Sequence, residues 1–147
     1  MHFWDQHKTI TSYYELLARE VCDTYQLTQM EYDILMFLHS NQQYNTAADI
    51  VKIRKSTKSH VSASLKDLEK KGLIERIQSA DNKKHIEINL LSKAEPIVEA
   101  GLKAQRQFVR NVLSGLSEEE KTVCISVFQK ICNNANEFLK KEKEREV

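Results

Sequence analysis

Glycine and proline are scarce: the 147-residue chain holds three Gly and one Pro. An all-β fold needs turn residues between its many strands, so this scarcity points to a mainly helical chain. Long hydrophobic runs are missing too. No stretch of about 18 apolar residues occurs, and no membrane span is expected. The opening Met1-His2-Phe3-Trp4-Asp5 lacks a basic region followed by an apolar stretch and does not read as a secretion signal. A cytoplasmic location is the expectation. Cysteine is limited to Cys22, Cys124 and Cys132, an odd number without CxxC spacing. That argues against a disulfide framework and against a zinc site, and leaves free, mostly buried thiols as the plain reading. The five histidines (His2, His7, His39, His60, His85) are scattered without metal-ligand spacing. With no Gly-rich phosphate loop, no HExxH and no nucleophile elbow, no enzyme, cofactor or metal site is expected.

What is present is a core-forming share of 41% hydrophobic residues beside 29% charged ones, typical of a folded soluble domain. The net charge of +1 conceals an uneven distribution. From Lys52 to Lys84 there are ten Lys/Arg against four Asp/Glu, a local charge of +6. The remainder holds 12 basic and 17 acidic residues, or −5. A basic centre between acidic arms fits a polyanionic partner; a merely solvated helix face is the alternative.

Helical periodicity runs from about residue 3 to 25, with Ile10, Tyr13, Tyr14, Leu17, Val21 and Tyr25 three or four apart. Thr28 and Glu31 have the spacing of a capping box and open a second helix. After the polar break Asn41–Asn45, Thr46 opens a short segment through Lys52, whose alanines allow close helix approach. Another helix is expected from Ser56 or Thr57 to about Lys71, with Val61, Leu65 and Leu68 inward and Gly72 at its left-handed stop. Leu73–Ile77 reads as a strand and Ser79–Lys84 as a basic turn. Ile86, Ile88 and Leu90 alternate with His85, Glu87 and Asn89 as a half-buried strand does. Ser92 and Glu95 suggest a further capping box and a helix to about Leu113, with Pro96 in its first turn. Ser117-Glu118-Glu119-Glu120 starts a last helix, with Leu116, Val123, Val127, Ile131, Ala135 and Phe138 as its apolar stripe. The charged segment Lys140–Glu146 is expected to fray.

A short helix, a tight turn and a longer helix with a polar, basic outer face make a helix-turn-helix. A helix that enters the DNA major groove needs small hydrogen-bonding side chains near its N-terminus and cations for phosphates. Thr57, Lys58, Ser59, His60 and Ser62 meet that need. Ala63 can touch a thymine methyl, Lys66 suits a phosphate, and Lys83 and Lys84 suit the backbone or minor groove beside the same site. His60 could add pH sensitivity; an ordinary neutral hydrogen-bonding role is the alternative.

Leu27-Thr28-Gln29-Met30-Glu31-Tyr32-Asp33-Ile34-Leu35 resembles the second helix of the MarR family, and Thr46-Ala47-Ala48-Asp49-Ile50 its helix-turn-helix entry. The run from Val61 to Arg76, with Leu68-Glu69-Lys70-Lys71-Gly72-Leu73-Ile74 at its centre, is similar to that family's recognition helix and wing. The resemblance covers roughly residues 10 to 140. It implies a mostly α fold: a winged helix-turn-helix lobe over 28–91 with a small β-hairpin wing, and long N- and C-terminal dimerisation helices over 1–25 and 92–147. It further implies a homodimeric regulator, expected to be a repressor, that binds double-stranded DNA at a near-palindromic operator. Dimerisation would fall to Val123, Val127, Ile131 and Phe138, with an intramolecular core stripe as the alternative. The family analogy also implies a pocket for a small amphipathic or aromatic effector. Tyr13, Tyr14 and Phe37 are candidate lining residues, with plain core packing as the alternative. One departure stands out: the wing offers Asp81-Asn82-Lys83-Lys84 where the family has Asp-x-Arg, and lysine lacks arginine's planar bidentate contact. Two other readings compete with the leading one. Cys22, near Arg19 but beside Asp23 and Glu20, could serve a thiol redox sensor. The basic face could instead meet an acidic protein partner.

Overall fold

The computed structural model describes residues 2–146. Its elements run α1 (Phe3–Tyr25), α2 (Gln29–Ser40), α3 (Ala47–Arg54), α4 (Lys58–Lys70), β1 (Ile74–Gln78), β2 (Ile86–Leu90), a 3-10 turn (Ser92–Ala94), α5 (Glu95–Val112) and α6 (Glu118–Arg145). They fall into two compact units, one up to Phe108 and one from Val109 onward.

Local sequence fixes where the helices begin. Thr28 accepts from the Glu31 N–H at 3.1 Å while the Glu31 carboxylate accepts from the Thr28 N–H at 3.0 Å, the reciprocal box expected. Thr46 and Asp49 make the same box at α3, and Ser117 and Glu120 at α6. The box expected at Ser92 and Glu95 does not form. The chain turns helical one residue sooner, capped by the extended Leu91, whose carbonyl accepts from Ala94 N–H at 2.9 Å. Ser92 therefore lies inside the first turn, where its hydroxyl cannot act as the cap. Pro96 is the second residue of α5, where its missing N–H is tolerated.

In the first unit α2 is central, with Tyr32, Ile34 and Leu35 almost wholly buried. Against this core pack Leu17 of α1, Ile50 of α3, Val61, Leu65 and Leu68 of α4, Ile74 and Ile88 of the hairpin, and Ile97 of α5. Each such side chain contributes about 1.5–3 kcal/mol on burial. At Gly101 of α5 a Cβ would collide with Met36 Sδ and press on the Tyr32 ring at 3.2 Å, so glycine is what permits this close approach to α2.

The hairpin is antiparallel, with Ile74 opposite Leu90 and Gln78 opposite Ile86. It is half-buried only near its base. Ile88 is 3% exposed, but Ile86 is 41% and Ile77 46% exposed toward the tip. The base is fixed to the helices by Ile88 N–H donating to Asn45 O (2.8 Å) and Leu91 N–H to Leu73 O (2.9 Å). Gly72, at φ 73°, turns the chain from α4 into β1.

Three ion pairs brace these helices. Lys71 Nζ lies 2.7 Å from Glu31 Oε2, whose side chain is 3% exposed, and also donates to Gln26 O at 3.0 Å. Arg54 pairs with Asp33 at 3.0 Å, joining α3 to α2. Arg76 of β1 makes a two-pronged contact with Glu69 of α4, at 3.1 Å on each prong.

The second unit holds the end of α5, a turn with Gly115 at φ 86°, and α6. Among the described residues of α6 none is buried. Its apolar side chains stand in the open, among them Val123 (60%), Ile131 (48%) and Phe138 (66%).

Candidate nucleic-acid interface

The helix-turn-helix comprises α3 and α4. α3 ends on a left-handed cap at Lys55, and α4 begins after the cap residue Thr57. The Thr57 hydroxyl oxygen accepts from His60 N–H at 3.3 Å, so this expected base reader also holds the helix start; its O–H remains free to donate. At 3.6 residues per turn α4 sorts cleanly. Val61, Ser64, Leu65 and Leu68 are buried, while Lys58, Ser59, His60, Ser62, Ala63 and Lys66 are exposed. Ser59, Ala63 and Lys66 lie along the middle of the outer face, with Lys58 and His60 on its two flanks. Lys70 continues that middle line one turn beyond Lys66, a cation that reading the sequence alone passes over. Its spacing of four from Lys66 is the signal that could have found it.

The wing tip carries Lys83 and Lys84, both exposed. Asn82 Oδ1 accepts from Lys84 N–H at 3.0 Å and Lys83 O accepts from the Gln78 side chain, which fixes the loop backbone and leaves both ammonium groups outward. The basic stretch is less uniform than its sequence suggests. Arg54, Lys71 and Arg76 are committed to Asp33, Glu31 and Glu69. Among the described residues, Lys52, Lys55, Lys58, Lys66, Lys70, Lys83 and Lys84 form no ion pair, and these seven carry the available positive charge.

The other candidate residues lie away from α4. Tyr13 stacks on Phe108 at 5.8 Å, and Tyr14 meets the same ring edge-on at 5.5 Å. Phe37 is a core residue at 6% exposure. A separate cleft of about 380 Å³ opens between the C-terminal end of α2 and the start of α5. It is lined by Leu90, Leu91, Ala94, Val98 and Leu102, with His39, Ser92, Glu95 and Glu99 as its charged or polar groups.

Cys22 is buried, and its thiol points to Thr28 O at 3.8 Å. Burial, followed by the carboxylates of Asp33, Asp23 and Glu31, pushes the thiol up to about 11. A redox sensor needs an accessible thiolate, and this environment opposes both requirements. Alkylation of Cys22 in the folded protein at pH 7.5 is expected to run at least about a hundredfold slower than that of a free thiol, by mass spectrometry. A rate near the free-thiol value would revive the redox reading.

A sequence model of the MarR family matches residues 25–85, which takes in α2, the helix-turn-helix and most of the wing. The HTH-type transcriptional regulator YdgJ of Bacillus subtilis is 24% identical over 110 residues, 75% of this chain. The match spans 66% of the length of that curated relative. Among solved structures, the S. aureus MepR–DNA complex superposes with a TM-score of 0.77 at 25% identity, covering 91% of this chain and 96% of that one. MepR bound to ethidium bromide gives 0.58 at 25% identity, covering 92% and 97%. MarR itself shares the fold, with a TM-score of 0.77 at 16% identity, covering 94% of this chain and 93% of that one. The helix-turn-helix with its lysine-bearing outer face, the two-stranded wing and the long terminal helices thus have known counterparts: over residues 25–85 the chain matches the MarR family, and its fold is the winged helix of the MarR and MepR structures.

Proposed function

We propose that the chain is a cytoplasmic, sequence-specific repressor that binds a near-palindromic operator as a homodimer. In this reading residues 28–91 form the DNA-binding lobe, and residues 1–25 and 92–147 the dimerisation region. The observation that carries it is the sorting of α4, whose polar and cationic side chains face out while its apolar ones are buried. Ser59, His60 and Ser62 read base edges, the Thr57 hydroxyl donates beside them, and Lys58, Lys66, Lys83 and Lys84 hold phosphates. The exposed stripe of Val123, Val127, Ile131 and Phe138 supports the dimer, because a soluble chain rarely leaves so continuous an apolar face uncovered. Phe3, Trp4 and Ile10, all exposed on α1, support it too.

Lys58→Ala or Lys66→Ala is expected to weaken binding to all duplexes and to flatten the salt dependence by about one unit for each phosphate no longer neutralised. Ser59→Ala or His60→Ala is expected instead to change which bases are preferred, by roughly 1–3 kcal/mol for each base edge read. Fluorescence anisotropy on the DNA upstream of its own gene and on random duplex, at salt from about 50 to about 200 mM, separates the two behaviours. Equal weakening on every sequence for all four variants would overturn this orientation of α4. Equal wild-type affinity for upstream and random DNA would overturn the regulator reading in favour of a protein-binding one.

The cleft favours release of the operator by a small ligand and narrows its chemistry. Its apolar floor suits an amphipathic compound, and the Glu95 carboxylate, with Glu99 nearby but shared with Arg106 at 3.5 Å, suits a cation better than an aromatic acid. Ethidium, the ligand bound to MepR, belongs to that class.

A further inference from the structure

Among the described residues two other than glycine hold a left-handed backbone, Gln26 (φ 54°) and Lys55 (φ 53°). Their cap hydrogen bonds are equivalent. Gln26 caps α1 and donates its N–H to Cys22 O, which also accepts from Leu27 N–H at 2.9 Å. Lys55 caps α3 and donates to Val51 O, which also accepts from Ser56 N–H at 3.2 Å. Glycine is the residue that such a cap favours, since any Cβ there crowds the neighbouring carbonyl. The hydrogen bond in which Lys71 Nζ donates to Gln26 O uses only backbone at Gln26, so glycine would preserve it.

Lys55 differs from Gln26 in where it stands. It forms the turn of the helix-turn-helix, two residues before the cap of α4, a gap of at most about 7 Å of extended chain. Its side chain is exposed and, among the described residues, makes no hydrogen bond or ion pair. Its neighbour Arg54 is held by Asp33. Nothing within the described residues therefore accounts for a lysine at a position that favours glycine. What sets Lys55 apart from Gln26 is its unpaired cation at the corner between α3 and α4.

We infer that Lys55 is a DNA backbone contact, positioned by its left-handed turn to meet the phosphate that flanks the N-terminus of α4. The inference rests on the DNA-binding reading above. The left-handed cap sends the chain sharply from α3 into α4 and holds the Lys55 stem outward at the corner. Lys55 thus stands at the end of α4 that carries the proposed base readers Ser59 and His60.

Three variants of the full chain test it, each followed by melting temperature at fixed protein concentration and by duplex affinity at salt from about 50 to about 200 mM. Lys55→Met keeps the stem and the strain but removes the charge. It is expected to melt as wild type, to bind about tenfold more weakly, and to lower the slope of log affinity against log salt by about two for a dimer. Lys55→Gly is expected to show the same drop in affinity while melting about 2 °C higher. Gln26→Gly is expected to melt higher by a similar amount with unchanged DNA binding, which separates relief of strain from removal of the phosphate grip. Lys55→Met binding with the wild-type slope, in an assay where Lys66→Ala lowers it, would overturn the inference alone. A Lys55→Gly chain that melts no higher than wild type would remove the strain on which it is built. Wild-type protein without salt-dependent duplex affinity would overturn the DNA-binding reading and this one together.

Discussion

Ile131→Asp is expected to dissociate the proposed dimer and abolish operator binding. Ile131 lies near the middle of the apolar arc of α6, between Val127 and Ala135 on the helix surface. Under the dimer reading a carboxylate there is desolvated without a partner, at about 3 kcal/mol per protomer. A two-fold interface counts that penalty twice, about 6 kcal/mol or roughly four orders of magnitude in the dimer dissociation constant. Sedimentation should then show monomer or unfolded chain at micromolar protein, and duplex binding should fall to the level of one half-site or none. Asn136→Asp, on the polar side of the same helix, is the matched control and should remain dimeric. An Ile131→Asp protein that sediments as wild type and keeps its operator affinity would refute the assignment of this stripe to the dimer.

The second large effect is expected at Lys71. Burial of the Glu31 carboxylate would by itself raise its pKa. The hydrogen bond from Lys71, the Thr28 N–H and the Lys71 charge outweigh that and hold it below the ordinary carboxylate range. In wild type, Glu31 thus adds stability above the unfolded-state carboxylate pKa, and this stability disappears as pH falls through the lowered folded value. Lys71→Met removes the partner and leaves a buried charge. The expected cost is about 3 kcal/mol, or roughly 10 °C in melting temperature. With Lys71 gone, only the Thr28 contacts oppose burial, and the carboxylate pKa is expected to rise from its wild-type position. The penalty of the substitution should then be full at about pH 7 and shrink as pH falls through the carboxylate range, about 4.3 for a free glutamate. Adding Glu31→Gln to Lys71→Met should recover much of the stability at about pH 7, because a neutral amide need not be paired with a cation. Thermal melts at about pH 7 and about pH 4.5 check both points. A penalty independent of pH and unrelieved by Glu31→Gln would assign the effect to the packing of the lysine stem alone.

Much of this architecture is legible in the chain because its helix signals are local. Thr28 with Glu31 and Ser117 with Glu120 act over three residues, and the structure forms both boxes. The inward triad Val61, Leu65 and Leu68 is as buried as its spacing requires. The failure at Ser92 is also local. Its spacing to Glu95 is right, but Leu91 offers an extended residue one step earlier and the helix takes it. The wing shows the limit of alternation as a burial signal. Ile86 and Ile88 lie on one face, but only the residue near the hairpin base has something to pack against. Long-range pairing is not legible. Lys71 and Glu31 are 40 residues apart, and nothing near either one announces the other. A count of charges along the chain therefore treats Lys71, Arg54 and Arg76 as free, although tertiary pairing has already claimed them.

Those claimed cations limit what the lobe can read. Between Lys52 and Lys84 the arginines are Arg54 and Arg76, and both are paired with internal carboxylates, Arg76 through both prongs of its fork. Guanine is most often recognised by an arginine fork across its O6 and N7 edge, and a lobe whose guanidinium groups are engaged elsewhere lacks that grip. Its remaining cations are lysines, which act as point charges. Discrimination between operators would then fall to short hydroxyl and imidazole contacts and to how readily a given duplex bends and narrows. A regulator built this way would owe most of its grip to phosphates, so its choice of operator should sharpen as ionic strength rises and the common electrostatic attraction fades.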